Sequence, residues 1–215
     1  MQYASDLTRI GSTAMIKRII LIIGSLAAMT VVATGQEAET LFAGEVVHGG
    51  FGGPVLKAST VNGSPALFVG GRGGWIINHS FILGGGGYGL VTNVDARVPS
   101  VYGDRRLAFG YGGVEMEYVH DWDRLIHVSV MLLIGGGGVG YQASVDDPRG
   151  SNYDHPMDEV FVLEPAVEAH LNVTEFFRLS AGVAYRYVNG VTTPTTSNAS
   201  LSGGSAVMTF RFGEF

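Results

Sequence analysis

Across residues 177–188, FRLSAGVAYRYV, apolar and polar side chains take turns. Phe177, Leu179, Ala181, Val183, Tyr185 and Tyr187 fall on one face of an extended strand. Arg178, Ser180, Gly182, Ala184 and Arg186 fall on the other. Side chains alternate faces along a strand, so the segment has an apolar side and a charged side. A sheet made of such segments must set one face against grease and the other against polar partners.

The same two-sidedness recurs along the chain. Ile126, Val128, Val130, Leu132 and Ile134 oppose His127 and Ser129, while Phe161, Leu163, Val167 and Leu171 oppose Glu164, Glu168 and His170. Val114, Met116 and Tyr118 oppose Glu115 and Glu117. Ala206, Met208, Phe210 and Phe212 oppose Thr209 and Arg211, and Leu67, Val69, Trp75 and Ile77 oppose Arg72. The first and third segments are too rich in glycine to orient.

Eight strands are expected, over 45–59, 66–77, 81–94, 107–120, 125–142, 159–171, 177–188 and 203–212. Short turns rich in turn formers join the second to the third, the fourth to the fifth and the sixth to the seventh. Long connections at 95–106, 143–158 and 189–202 fall between them. The first connection is short, built on Asn62-Gly63, a strong hairpin signal. Short turns on one rim and long loops on the other are the layout of an up-and-down transmembrane barrel. The expected fold is therefore all-β, an eight-stranded antiparallel barrel with both termini on the short-turn side. Closure leaves no edge strand, and it satisfies every backbone group within the sheet.

A leader precedes it. Lys17 and Arg18 form a basic start, 19–32 is an apolar run, and Ala33-Thr34-Gly35 offers small residues before Gln36. These three parts match a signal peptide with cleavage near 35/36, and the apolar run is short of the ~20 residues a spanning helix needs. Residues 1–35 are thus an N-terminal extension and helical signal peptide, and 36–215 the barrel domain. Removing 1–35 takes Arg9, Lys17, Arg18 and Asp6 from totals of 13 basic and 19 acidic residues, leaving 10 against 18, a net charge of −8. Nucleic acid selects basic surfaces, so it is excluded as a partner. With no cysteine, disulfides and thiolate-bound metals are excluded too.

The side expected to face inward carries Glu115, Glu117, Glu164 and Glu168 against Arg72, Arg178, Arg186 and Arg211. Eight strands enclose a space just wide enough for side chains to fill, where unpaired charge is very costly. Balanced signs there predict a packed salt-bridge network, not an open pore. Of 33 glycines, many cluster in related runs at 68–75, 81–89 and 133–141, where they would admit large neighbours and ease curvature.

Signal peptide, eight alternating segments and asymmetric connections together resemble the small outer-membrane β-barrels of the OmpA/OmpX type, over about residues 45–215. The terminal stretch Met208-Thr209-Phe210-Arg211-Phe212-Gly213-Glu214-Phe215 is similar to that family's insertion signal, although Phe215 is out of phase with Phe210 and Phe212. The resemblance implies outer-membrane location, lipid as the surrounding medium and a transient encounter with the outer-membrane assembly machinery.

Other motifs have plainer readings. Gly84-x-Gly86-x-x-Gly89 and Gly135-x-Gly137-x-x-Gly140 match a dinucleotide fingerprint in form, but no helix follows to hold a pyrophosphate. Asp146, Asp147, Asp154, His155, Asp158 and Glu159 make one loop acidic without calcium-loop spacing. Sequons at Asn62, Asn78, Asn172 and Asn198 carry no meaning in a bacterial setting. Trp75, Tyr118, Trp122, Tyr185 and Tyr187 lie near strand ends, where interfacial girdles form. His127 and Ser129 share a face, with Glu168 or His170 available beside them, which supplies the parts of a hydrolytic site. The leading expectation is a monomeric, non-enzymatic barrel with a structural or surface-interaction role, and no catalytic residue, metal or cofactor is assigned. The alternatives are a lipid-modifying hydrolase or acyltransferase in the same barrel, and a soluble periplasmic carrier of lipocalin type.

Overall fold

The computed structural model describes residues 46–96, 105–143, 157–192 and 194–215. They form β1 (His48–Val61), β2 (Ser64–Ile77), β3 (Phe81–Leu90), β4 (Arg105–His120), β5 (Ile126–Ala143), β6 (Asp158–Asn172), β7 (Phe177–Asn189) and β8 (Gly203–Glu214). A single helical turn, α1 (Asn198–Leu201), stands between β7 and β8. Each strand pairs antiparallel with the next, and β8 pairs with β1 to close the barrel. The expected strands agree with the observed ones to within four residues at every end. The largest departure is at β3, which leaves the ladder after Leu90 because Val94 and Ala96 turn in and become buried. The proposed leader and most of the loops at 95–106 and 143–158 lie outside the described residues.

Two hairpins show why the register is fixed. Asn62 and Gly63 have φ of 50° and 73°, and Asn78 and His79 have 49° and 58°. Left-handed values at both central positions define the turn whose twist matches a twisted strand pair. Asn tolerates that region better than most residues.

The faces follow the alternation. Val183 is 64% and Tyr185 55% exposed, whereas Arg186 between Tyr185 and Tyr187 is wholly buried. Val114, Met116, Ile126, Val128, Val130, Val167 and Met208 also lie on the outside, forming an apolar belt. Exposed rings gather toward its two ends: Trp75, Phe81, Tyr118, Phe176 and Phe212 at the short-turn rim, and Phe161, Tyr185 and Tyr187 toward the long-loop rim. Trp122 departs from the expected girdle. It stacks on His79, 3.9 Å between ring centres, and packs over the mouth at the short-turn end.

Glycine placement has a physical cause. A Cβ on Gly135, which faces inward, would overlap the Gly112 carbonyl of the neighbouring strand. The wall there bends too sharply for a side chain on its concave side. Outward Gly87 has nothing within 4 Å of the same position. We expect Gly135→Val to lower stability by about 1–3 kcal/mol or to block folding, and Gly87→Ala to stay within about 0.5 kcal/mol. Urea titration of the folded fraction on unboiled gels measures both.

A sealed ion-pair network as the candidate functional site

Three layers fill the barrel. At the short-turn end, inward Phe51, Ile76, Ile82 and Val119 pack together beneath Trp122 and Phe215. Phe215 follows the inward phase of β8 and stacks on Phe51 at 6.4 Å. Its mismatch with outward Phe212 therefore reflects a second role, that of covering the mouth.

The middle layer is ionic. Arg72 on β2 meets three carboxylates: Glu115 Oε2 lies 2.8 Å from its Nε, Glu117 Oε2 2.9 Å from Nη2, and Glu168 Oε1 2.7 Å from Nη1. Arg211 Nη2 on β8 donates to Glu117 Oε1 at 2.9 Å and approaches Glu168 Oε2 at 3.3 Å. Ser180 Oγ donates to Glu168 Oε2 at 2.6 Å and accepts from Arg211 Nε at 3.3 Å. Glu164 is held by Lys57 and by the Tyr111 hydroxyl, the latter at 2.6 Å. Tyr88 donates to Glu115, and its ring lies 3.2 Å beneath the Lys57 ammonium. All these groups are buried. Gly86 makes the arrangement possible, since a Cβ there would overlap the Glu115 carboxylate.

The third layer, toward the long-loop rim, is apolar. Val55, Phe68, Phe109, Leu133, Val139, Val160, Val162, Val188 and Leu201 form one buried cluster. Arg186 is set within it. Its guanidinium lies 4.5 Å from the Phe68 ring centre, 5.5 Å from Phe109 and 5.6 Å from Tyr111. Its Nε donates to the Leu201 carbonyl at 2.9 Å.

Glu115, Glu117, Glu164, Glu168, Arg72 and Arg211 come together as ion pairs. Arg178 and Arg186 face inward but, among the described residues, pair with no carboxylate. Arg178 stands directly across from Arg211 in the β7–β8 ladder. It turns to the rim instead, 4.1 Å over the Phe215 ring, because the acids are already held by Arg72 and Arg211. Lys57 is the cation that sequence reasoning missed, since its glycine-rich strand gave no facing. With it the buried set is balanced: Glu115, Glu117, Glu164 and Glu168 against Lys57, Arg72, Arg186 and Arg211.

The hydrolytic constellation takes a different shape. Ser129 Oγ is 2.7 Å from His170 Nε2, and Glu117 Oε1 approaches that same nitrogen at 3.4 Å. In a nucleophile–base–acid relay, the acid holds the ring nitrogen remote from the nucleophile. His127 does not join Ser129. It stacks on His170 at 4.9 Å and contacts the Arg124 carbonyl through Nδ1 at 3.1 Å. Ser129 and His170 are buried inside the barrel, beyond reach of a lipid ester. Of the acidic loop, Asp158 and Glu159 are described, and Asp158 accepts two hydrogen bonds from Thr192, at 2.8 and 2.7 Å.

This architecture is shared with solved structures. Neisserial surface protein A aligns with a TM-score of 0.55 at 14% identity, over 79% of this chain and 99% of that one. The N-terminal β-barrel domain of Pseudomonas aeruginosa OprF aligns with a TM-score of 0.52 at 10% identity, over 77% and 96%. The chain has the fold of a small eight-stranded outer-membrane β-barrel. No protein-family model and no curated protein matches its sequence. At such low identity the likeness conveys the barrel fold and nothing of how the lumen is packed.

Removing one partner from a buried ionic cluster leaves charge uncompensated, whereas replacing a pair by apolar groups of similar volume is often neutral. Arg72→Met is expected to destabilise the barrel by about 3–5 kcal/mol. The double change Lys57→Met with Glu164→Leu should cost less than either single change, judged from urea midpoints in detergent micelles.

Proposed function

We propose that this protein is a monomeric, non-enzymatic barrel of the outer membrane, reached through a cleaved leader and inserted by the outer-membrane assembly machinery. Its lumen, with the network of Arg72, Glu115, Glu117, Glu164, Glu168 and Arg211 and the flanking Arg178 and Arg186, is a structural filling. Its contacts with other molecules are made at the long-loop rim. The observation that carries this reading is the sidedness of the wall. An apolar belt ends in aromatic rings on the outside, and a charge-balanced network occupies the centre. Lipid stabilises the first, and pairing among its own side chains stabilises the second. Strands of 10 to 18 residues suffice for a span of ~9–11 tilted residues.

Filling on this scale argues against transport, because ion pairs and apolar side chains stand where a channel would run. The same filling argues against a lipocalin-type carrier, which needs an apolar, vacant interior and a polar outside. The likeness to a Neisserial surface protein supports a surface role for the rim.

Unboiled samples are expected to migrate differently from boiled ones, and the protein to fractionate with the outer membrane. Recovery in the soluble periplasmic fraction would overturn the assignment. Ser129→Ala should leave the lipid A profile of the host unchanged by mass spectrometry, with altered acylation pointing to the enzymatic alternative instead.

A further inference from the structure

The segment between β7 and β8 does more than connect them. Residues 194–202 cross the long-loop mouth, and one apolar side chain, Leu201, is driven into the lumen and wholly buried. The rest is exposed or half-buried. Its ties to the rest of the chain are polar; among them Asn198 accepts from the Val191 N–H at 2.9 Å and donates to Asn189 Oδ1 at 3.1 Å, and Asn62 Nδ2 donates to Thr196 Oγ1 at 3.4 Å. Asn62 donates from its backbone N–H to the Ser200 carbonyl at 3.0 Å. Thr195 Oγ1 donates to the Ala96 carbonyl at 2.6 Å and lies 3.1 Å from the Tyr141 hydroxyl. Ser202 Oγ accepts from the Val188 N–H at 3.0 Å. The deepest tie is Arg186 Nε to the Leu201 carbonyl, at the C-terminal end of α1.

That tie explains an oddity of the interior. Arg186 is wholly buried with no carboxylate partner among the described residues, and a buried charge without compensation is costly. Three aromatic faces, the Ser59 hydroxyl at 3.5 Å and the Leu201 carbonyl take the place of a counter-ion. The barrel wall supplies the rings and the Ser59 hydroxyl, and the crossing segment supplies the carbonyl.

We propose that residues 194–202 are a hinged lid over the long-loop mouth, with Arg186 as its latch. Segments that bury little apolar surface open locally at low cost, while a closed ladder of strands stays intact. Opening withdraws the Leu201 carbonyl and side chain together. It uncovers a cation in a cup formed by Phe68, Phe109 and Tyr111. The lid rests on the geometry of the mouth alone, and it stands whether the barrel is structural or enzymatic.

The absence of cysteine permits a clean test. Single variants Leu201→Cys and Ala199→Cys of the full chain, folded in detergent micelles, are reacted with a maleimide. Cys at 199 should label at once, and Cys at 201 at least about tenfold more slowly. Adding Arg186→Met or Thr195→Ala to Leu201→Cys should raise its labelling rate by about tenfold, with the heat-dependent gel shift of the folded barrel preserved. If Arg186→Met fails to fold, Thr195→Ala decides alone, since Thr195 is exposed. Equal labelling at 199 and 201 in the otherwise unchanged chain would overturn the lid. So would an unchanged rate at 201 in every second-site variant that retains the gel shift. Loss of outer-membrane fractionation, by contrast, would count only against the proposed function.

Discussion

Arg72 is the interaction on which the interior depends. A single guanidinium addresses Glu115, Glu117 and Glu168 with its three nitrogens, using the planar fork that suits arginine, and not lysine, to several carboxylates at once. Arg211 then relieves the excess negative charge from the far side. The wall answers to this cluster as much as it contains it. Gly86 is bare so that Glu115 can lie against it, and Tyr88 and Tyr111 spend their hydroxyls on Glu115 and Glu164.

Such a cluster is tolerable because both ends are covered by the chain itself. Trp122 and Phe215 cover the short-turn end, and Leu201 with its apolar neighbours the other. Screening by water is thereby limited, so each pair interacts more strongly than it would at a surface. The cost of this arrangement is that any missing partner is felt in full.

Much of this was legible in the sequence, and the exceptions have physical reasons. The alternation in β4 to β8 gave facing, so Glu115, Glu117, Glu164, Glu168 and Arg211 could be placed inside. Facing does not give depth or partner. Arg178 and Arg211 share a face, yet one lies at the rim and the other at the centre. The partner of Arg186 is a loop carbonyl, and no strand pattern reports on loops. Lys57 was hidden because both faces of β1 mix glycine with apolar and small polar residues, so neither declares itself. The helical turn at 198–201 was missed for want of length, as its four residues show no period. The Ser129–His170 contact was foreseeable as a neighbour pair, but the nitrogen that Glu117 would choose was not.

The network also draws on strands that are far apart in the chain. Arg72 comes from β2, Glu115 and Glu117 from β4, Glu168 from β6 and Arg211 from β8. β2 and β6 stand on opposite sides of the ring, so Arg72 meets Glu168 only where the sheet has curled round. The closed cylinder is thus the arrangement in which one carboxylate, that of Glu168, joins β2 and β8, the two strands on either side of β1.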